Sequence, residues 1–434
     1  MNYLADELND ILDTTVAGRL LSPLGRRLYF PKGIITQGAE AKQAAHRVNA
    51  TLGMAYHQGK PLILSSLREQ VPGLTPEETV AYAPTAGIPH VRTAWKNRIL
   101  QHNPGLRPET FSLPVVVPGL TAGIGYAADL FVGEGNPIIL SSPCWDNYEL
   151  IFQERRAATM QGVPFFGADW GLDIRAIEKA LEAAAATGVV RVLLNFPHNP
   201  SGYSPTTAEA DALVACVKNI AQKGADVLIL CDDAYFGFFY EAACLKESLF
   251  SRFAQVHERV LAIKIDGPTK EDYVWGFRMG FITFGSQGLQ EKHYEALVKK
   301  LMGTIRSSVS CANTPAQYLL LKAIQDERSA LEKEQYYTLL QRRYQRVKQF
   351  LAEHPEHPNL RPLPFNSGYF MSFRCVGIGA EVLRRELLTN QGIGTIALGD
   401  TYLRIAFASI DEEQIFGVYQ ALYDVARDLG IEGS

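Results

Sequence analysis

Five short apolar runs, separated by helical patterns and by turns rich in Gly, Pro and Asn, constrain this chain more than any other feature. Val115–Pro118, Pro137–Ser141, Val189–Phe196, Val227–Cys231 and Val260–Ile265 all have strand length. Between them, Ala122–Phe131 reads as a helix. Asp173–Thr187 is also helical, with apolar residues at Leu172, Ile174, Ile177 and Leu181. Thr206 with Glu209 is a capping-box pattern that opens a helix to about Lys223. This alternation predicts an α/β layer structure with a mostly parallel sheet. Ligands in such folds sit at the carboxyl ends of the strands, and the candidate motifs of this chain cluster there.

After about Ala323 the texture changes. A long polar helix is predicted over Asp326–His354, followed by Pro-rich Pro355–Pro364 and a short αβ segment. The expected division is an N-terminal arm and part of a small domain in 1–60, a large domain in 61–320, and a C-terminal small domain in 321–434. A chain of 434 residues accommodates this and buries a large core without staples. The formal net charge of −4 gives no electrostatic reason to expect nucleic acid or an anionic membrane as partner. No apolar stretch has the roughly 18 residues of a membrane span. The six cysteines form no Cys-x-x-Cys pair and the nine histidines no His-Glu-x-x-His, so neither a metal site nor a disulfide framework is suggested. A cytoplasmic setting is expected. Met1–Leu12 carries Asp6, Glu7 and Asp10 and does not read as a secretory signal.

The chemistry centres on Lys270. It follows the run Val260–Ile265, and Arg278 stands eight residues on, between Gly276 and Gly280. A lysine past a buried strand is a candidate for Schiff-base formation, and an arginine between glycines is a candidate phosphate clamp. Together they suggest pyridoxal 5'-phosphate (PLP). Asn199, in Pro197-His-Asn-Pro-Ser-Gly202, ends another strand, where an amide can donate to a phenolate; an ordinary Asn-Pro turn is the competing reading. Asp232 ends the next strand, placed to hold a pyridinium N–H, with Tyr235 placed to donate to a phenolate. A helix cap at Asp233 with a packed tyrosine is the alternative. Gly119-Leu-Thr121-Ala122-Gly123 lies between strand and helix and offers backbone N–H groups and a hydroxyl to an anion. Gly123-Ile-Gly125-Tyr-Ala-Ala128 also matches a dinucleotide pattern, but Gly125 is expected inside the helix, away from its opening turn. Trp145 is a ring that stacks on a cofactor or fills a core. Arg404, inside an apolar strand, needs an anionic partner: a substrate carboxylate or a structural ion pair.

In order and spacing, these motifs resemble the fold-type I, class I/II PLP-dependent aminotransferases. Asn199-Pro-x-Gly202, Asp232-x-x-Tyr235, Thr269-Lys270 with Arg278, and Arg404 carry the resemblance, which covers roughly residues 30–430. The aspartate/aromatic branch is the most similar. Asn49–Tyr56, with Gly53, resembles that branch's N-terminal substrate-site segment. Tyr82 resembles a tyrosine that reaches the neighbouring subunit's phosphate, and Arg306 an arginine that binds a distal carboxylate across a dimer interface. The departures are Gly267, where a hydroxyl is usual three residues before the lysine, and Leu120 and Ala122, where small Gly or Ser residues are frequent.

The resemblance implies a mixed, mostly parallel sheet in a large domain, a smaller α/β domain, and a homodimer with active sites at its interface. It implies Schiff-base formation and proton transfer at Lys270, with Asp232 and Tyr235 as the other catalytic groups. Thr121, Ala122, Trp145, Asn199, Thr269, Arg278 and Tyr82 would bind the cofactor. Gly53, Asn199, Arg404 and Arg306 would bind amino-acid and 2-oxo-acid substrates, with aspartate or glutamate and 2-oxoglutarate as a candidate pair. A β-eliminating lyase on the same fold is the nearest alternative.

Overall fold

A computed structural model of the chain describes residues 3–29, 56–57, 60–61 and 73–432. Seven strands build the large sheet: β1 (Val115–Val117), β2 (Pro137–Ser142), β3 (Thr159–Pro164), β4 (Val189–Asn195), β5 (Asp226–Asp232), β6 (Val260–Asp266) and β7 (Gly280–Gly285). Their order is β1-β7-β6-β5-β4-β2-β3. Neighbours from β6 to β3 pair in parallel, whereas β7 runs antiparallel to both β6 and β1. Every residue of β5, β6 and β7 is buried, as expected of strands covered on both faces.

Two strands were not apparent in the sequence. β3 lies at the sheet edge and has only one buried position, so it lacks the apolar run that marked the others. β7 is framed by Gly280 and Gly285. Its direction follows from chain length, because the 267–279 connection holds only two short helical turns and is too short to pack a crossover helix on the sheet. The chain reverses instead, pairing Phe281 with Asp266. This reversal keeps Lys270 and Arg278 on one edge of the sheet.

The capping box forms as read. Thr206 Oγ1 accepts from Glu209 N–H at 3.2 Å, and Glu209 Oε2 accepts from Thr206 N–H at 2.7 Å, opening helix Thr207–Gln222. Helix Leu120–Phe131 starts two residues before its expected position and encloses both Gly123 and Gly125. Gly123 brings the helix against the sheet: a Cβ there would stand 3.2 Å from Val117 and Ile265. The dinucleotide pattern is therefore helix packing, not a phosphate-binding turn.

The C-terminal unit holds an antiparallel sheet of β8 (Leu360–Pro362), β9 (Met371–Cys375), β10 (Ile396–Leu398) and β11 (Tyr402–Ile405), in the order β8-β9-β11-β10. The long helix Glu327–Glu353, capped by the Asp326 side chain, adds Leu340, Tyr344, Val347 and Phe350 to its core. Phe238 and Tyr240 from the large unit join the same core. Residues 3–29 pack against the large unit: Leu8, Leu12, Val16 and Leu20 share a core with Ile138, Leu228 and Leu297. Of the 1–60 segment expected to hold the arm and part of the small domain, residues 1, 2, 30–55, 58 and 59 lie outside the described residues.

Candidate active site

Asn195 ends β4 and Asp232 ends β5, and the two are register partners. A cavity of about 200 Å³ opens beyond them, bounded also by Thr121, Trp145, Asn199, Tyr235, Lys270 and Arg404. Seven of the sequence-derived site residues therefore meet in one place, contributed by both units.

Asp232 lies on the floor and is buried. Tyr148 O–H donates to its Oδ2 at 2.6 Å, and Ala234 N–H to its Oδ1 at 3.2 Å. Burial pushes this carboxyl up, while the Tyr148 hydrogen bond and the charge of Lys270 oppose the shift. Lys270 Nζ stands 4.8 Å over the Tyr235 ring. Burial lowers its pKa, Asp232 raises it, and Arg278 lowers it further. The amine thus sits where its neutral form is more accessible than in water. Burial also pushes the Tyr235 phenol up to about 12, against the pull of Arg404, so it remains a proton donor at neutral pH.

The anion end lies at the start of helix Leu120–Phe131. Its first intrahelical bond is Gly123 N–H to Gly119 O, so the N–H groups of Leu120, Thr121 and Ala122 precede the ladder. Gly119 has φ +94°, and a Cβ there would meet Arg278 Nη2 at 2.7 Å. Only glycine permits this approach of the guanidinium to the helix N-terminus. Thr269 is buried, with its hydroxyl 3.4 Å from the Met279 carbonyl. The two departures at Gly267 and Leu120 prove to be neighbours. A Cβ on Gly267 would stand 3.0 Å from Leu120 Cδ1 and 2.8 Å from Gly280 Cα. The leucine side chain occupies the space that a hydroxyl-bearing residue would need.

At the opposite wall, Arg404 Nη1 donates to Asn199 Oδ1 at 2.7 Å, and the guanidinium lies 4.3 Å over the Phe370 ring. Its Nε is buried with no hydrogen-bond partner among the described residues. A part-buried guanidinium with an unused buried donor can accept an anion. Among the described residues no carboxylate forms an ion pair with it, which disfavours the structural ion pair. Asn199 Oδ1 accepts from Arg404, and the Asn199 backbone N–H donates to Asn195 Oδ1. Its amide N–H groups remain as donors.

Tyr82 is 67% exposed and Arg306 is exposed at the end of helix Glu291–Arg306; neither lines this cavity. Gly53 lies outside the described residues. Sequence reading missed Tyr148, Asn195 and Phe370. Tyr148 had a local signal, standing one turn after Trp145, with its N–H bonded to the Trp145 carbonyl. Phe370 had none.

A sequence profile described as aminotransferase class I and II matches residues 54–422. The chain belongs to this family. Curated relatives of this aminotransferase include a probable N-acetyl-LL-diaminopimelate aminotransferase of Bacillus subtilis, 23% identical over 76% of this chain and 78% of the relative. An aspartate aminotransferase of Sulfurisphaera tokodaii is 21% identical over 86% of this chain and 90% of its own. Among solved structures, an aminotransferase from Anaerococcus prevotii superposes with a TM-score of 0.72 at 21% identity, covering 91% of this chain and 95% of that one. The protein is a PLP-dependent transaminase of the α/β fold described above, and its substrates are amino and 2-oxo acids. No described helix is long and apolar enough to cross a membrane.

Proposed function

We propose that this aminotransferase moves the amino group of a dicarboxylic L-amino acid, aspartate or glutamate, to a 2-oxo acid such as 2-oxoglutarate, with Lys270 as its central residue. Bound PLP supplies an electrophilic aldehyde and a ring that withdraws electrons from the substrate carbon. Lys270 Nζ would be the amine that holds the cofactor's aldehyde carbon and the group that would carry the α-proton. Asp232 holds the ring N–H, and the Tyr148 hydroxyl keeps one of its oxygens in place. The Asn199 amide and the Tyr235 hydroxyl donate to the ring's phenolate oxygen, and Trp145 covers the ring. The first N–H groups of helix Leu120–Phe131, with Thr121, Thr269, Arg278 and the partner subunit's Tyr82, hold the phosphate.

Arg404 grips the α-carboxylate through Nε and an Nη group. The partner subunit's Arg306 meets a distal carboxylate. The exposure of Tyr82 and Arg306 supports a homodimer, in which such side chains reach a neighbour's cavity. A reducing, cytoplasmic setting belongs to the same reading; it rests on six cysteines that are all free thiols. The observation that carries the proposal is the convergence of a half-buried amine, a buried carboxylate and a guanidinium donor unpaired among the described residues on one cavity.

The test is spectroscopic. The wild-type protein is expected to acquire a visible absorbance with PLP that borohydride fixes covalently, and Lys270→Ala to lose that fixation. A panel of amino acids, scored by conversion of the bound cofactor to its amine form, identifies the donor. A wild-type protein that stays colourless with PLP sinks the Lys270 assignment. Faster conversion by neutral amino acids than by aspartate or glutamate sinks the role of Arg306.

A further inference from the structure

The turn that carries Lys270 is short and has little stiffness of its own. Its helical part spans only Pro268–Glu271, and Tyr273, just beyond, has φ +57°. It is gripped from outside on both flanks by helix Pro89–His102. Trp95 Nε1 donates to Asp266 Oδ1 at 3.0 Å on the N-terminal side. One helical turn later, Arg98 Nη1 donates to Asp272 Oδ2 at 2.6 Å on the C-terminal side. The Arg98 guanidinium also stacks 4.8 Å over the Trp95 ring.

A second cation approaches from another element. Lys333 Nζ bonds Glu271 Oε1 at 3.2 Å and Asp272 Oδ1 at 3.0 Å. Two carboxylates meet two cations, with side-chain exposures of 12%, 9%, 13% and 29% for Glu271, Asp272, Arg98 and Lys333. Burial pushes the Glu271 carboxyl up, but Lys333 and Arg98 bring it down to about 2. Surface ion pairs hold little in place, whereas removing one cation from a nearly buried cluster strands a carboxylate. Lys333 stands in the opening turns of helix Glu327–Glu353, whose later residues are core of the C-terminal unit. The same helix bonds the loop that follows Tyr235, through Tyr337 O–H to the Phe239 carbonyl.

We propose that Arg98 and Lys333 are positioning residues for Lys270. Acting through Glu271 and Asp272, they set where the amine stands, and Lys333 ties that setting to the seating of the helix that carries the C-terminal unit. This rests on the reading of Lys270 as the amine that meets PLP.

The experiment compares PLP-loaded wild type, Lys333→Met and Lys333→Arg. Misplacing a reacting group by about 1 Å can cost on the order of a hundredfold in rate. Lys333→Met is expected to keep PLP but lose kcat by about tenfold or more, with KM changed by less than about threefold, and to alter the visible circular dichroism of the bound cofactor. Lys333→Arg restores both. A lowered melting temperature with unchanged kcat and visible dichroism overturns the proposal, as does failure of Lys333→Arg to restore them. Arg98→Lys, which keeps the charge but shortens the reach to Asp272, is expected to show the same signature more weakly; a wild-type signature there also overturns it. A wild-type protein without a visible PLP band is a different outcome: it overturns the Lys270 assignment itself.

Discussion

Replacing Tyr148 by phenylalanine removes one oxygen from the floor of the cavity and nothing else. The ring is buried, and its contacts with Trp145 and Phe152 do not involve the hydroxyl. The lost interaction is a 2.6 Å hydrogen bond to Asp232 Oδ2. Burial and the charge of Asp232 hold this phenol well above its ordinary value, so it donates across the whole working range. A hydrogen bond to a charged group contributes about 1.5–3 kcal/mol. It favours only the ionised carboxylate, so its loss lowers the ratio of ionised to protonated Asp232 by about 10- to 150-fold. The sign follows from the environment: burial already pushes Asp232 up, and losing the donor pushes it further. In the variant, the carboxylate loses its charge at a higher pH than in the wild type, and with it the hold on a ring N–H. PLP affinity, measured by absorbance titration of the apoprotein, is expected to fall, and to fall further the lower the pH. The gap to wild type should narrow as the pH rises. Equal affinities at every pH, in a variant with wild-type far-UV dichroism, would refute the coupling of Tyr148 to Asp232.

Three further outcomes are expected. Arg404→Lys keeps a charge but loses the two-pronged grip; kcat/KM should fall about a hundredfold or more while PLP affinity stays within about threefold, as steady-state kinetics and titration will read. Gly267→Ser forces a side chain against Leu120 and Gly280 and should destabilise by about 1–3 kcal/mol, seen as a lowered melting temperature. Adding Leu120→Ala should recover part of that loss, and a fully stable single variant would disprove the idea that Leu120 fills the space. Arg306→Gln should lower kcat/KM for glutamate by about tenfold or more and leave phenylalanine nearly unchanged; an equal loss for both would remove the distal-carboxylate role.

The large sheet was legible at five of its seven strands, where burial imposes continuous apolar runs such as Val260–Ile265. It was illegible at β3, an edge strand with polar and small residues, and at β7, whose strand between two glycines looked like part of the Lys270 motif. Near the change of texture at Ala323, Asp326 closes one helix and caps the next. The N-terminal helices gave no sign of their partner. Their apolar faces are generic, and nothing local distinguishes the large sheet from the small one.

Lys270, Asp232, Asn199, Tyr235 and Arg404, which line one cavity, stood out as candidates from residue type because each stands at or just past a strand whose apolar run is visible in the chain, or inside one. Their chemistry is local to one or two side chains. What could not be read is who meets whom. The Tyr148–Asp232 bond joins residues 84 positions apart, and the Arg404–Asn199 bond joins residues 205 apart across the two units. The Leu120–Gly267 exchange looked like two separate departures. Such pairings depend on strand order and on the antiparallel return of β7, which arise from packing over the whole sheet and leave no mark on any single stretch of sequence.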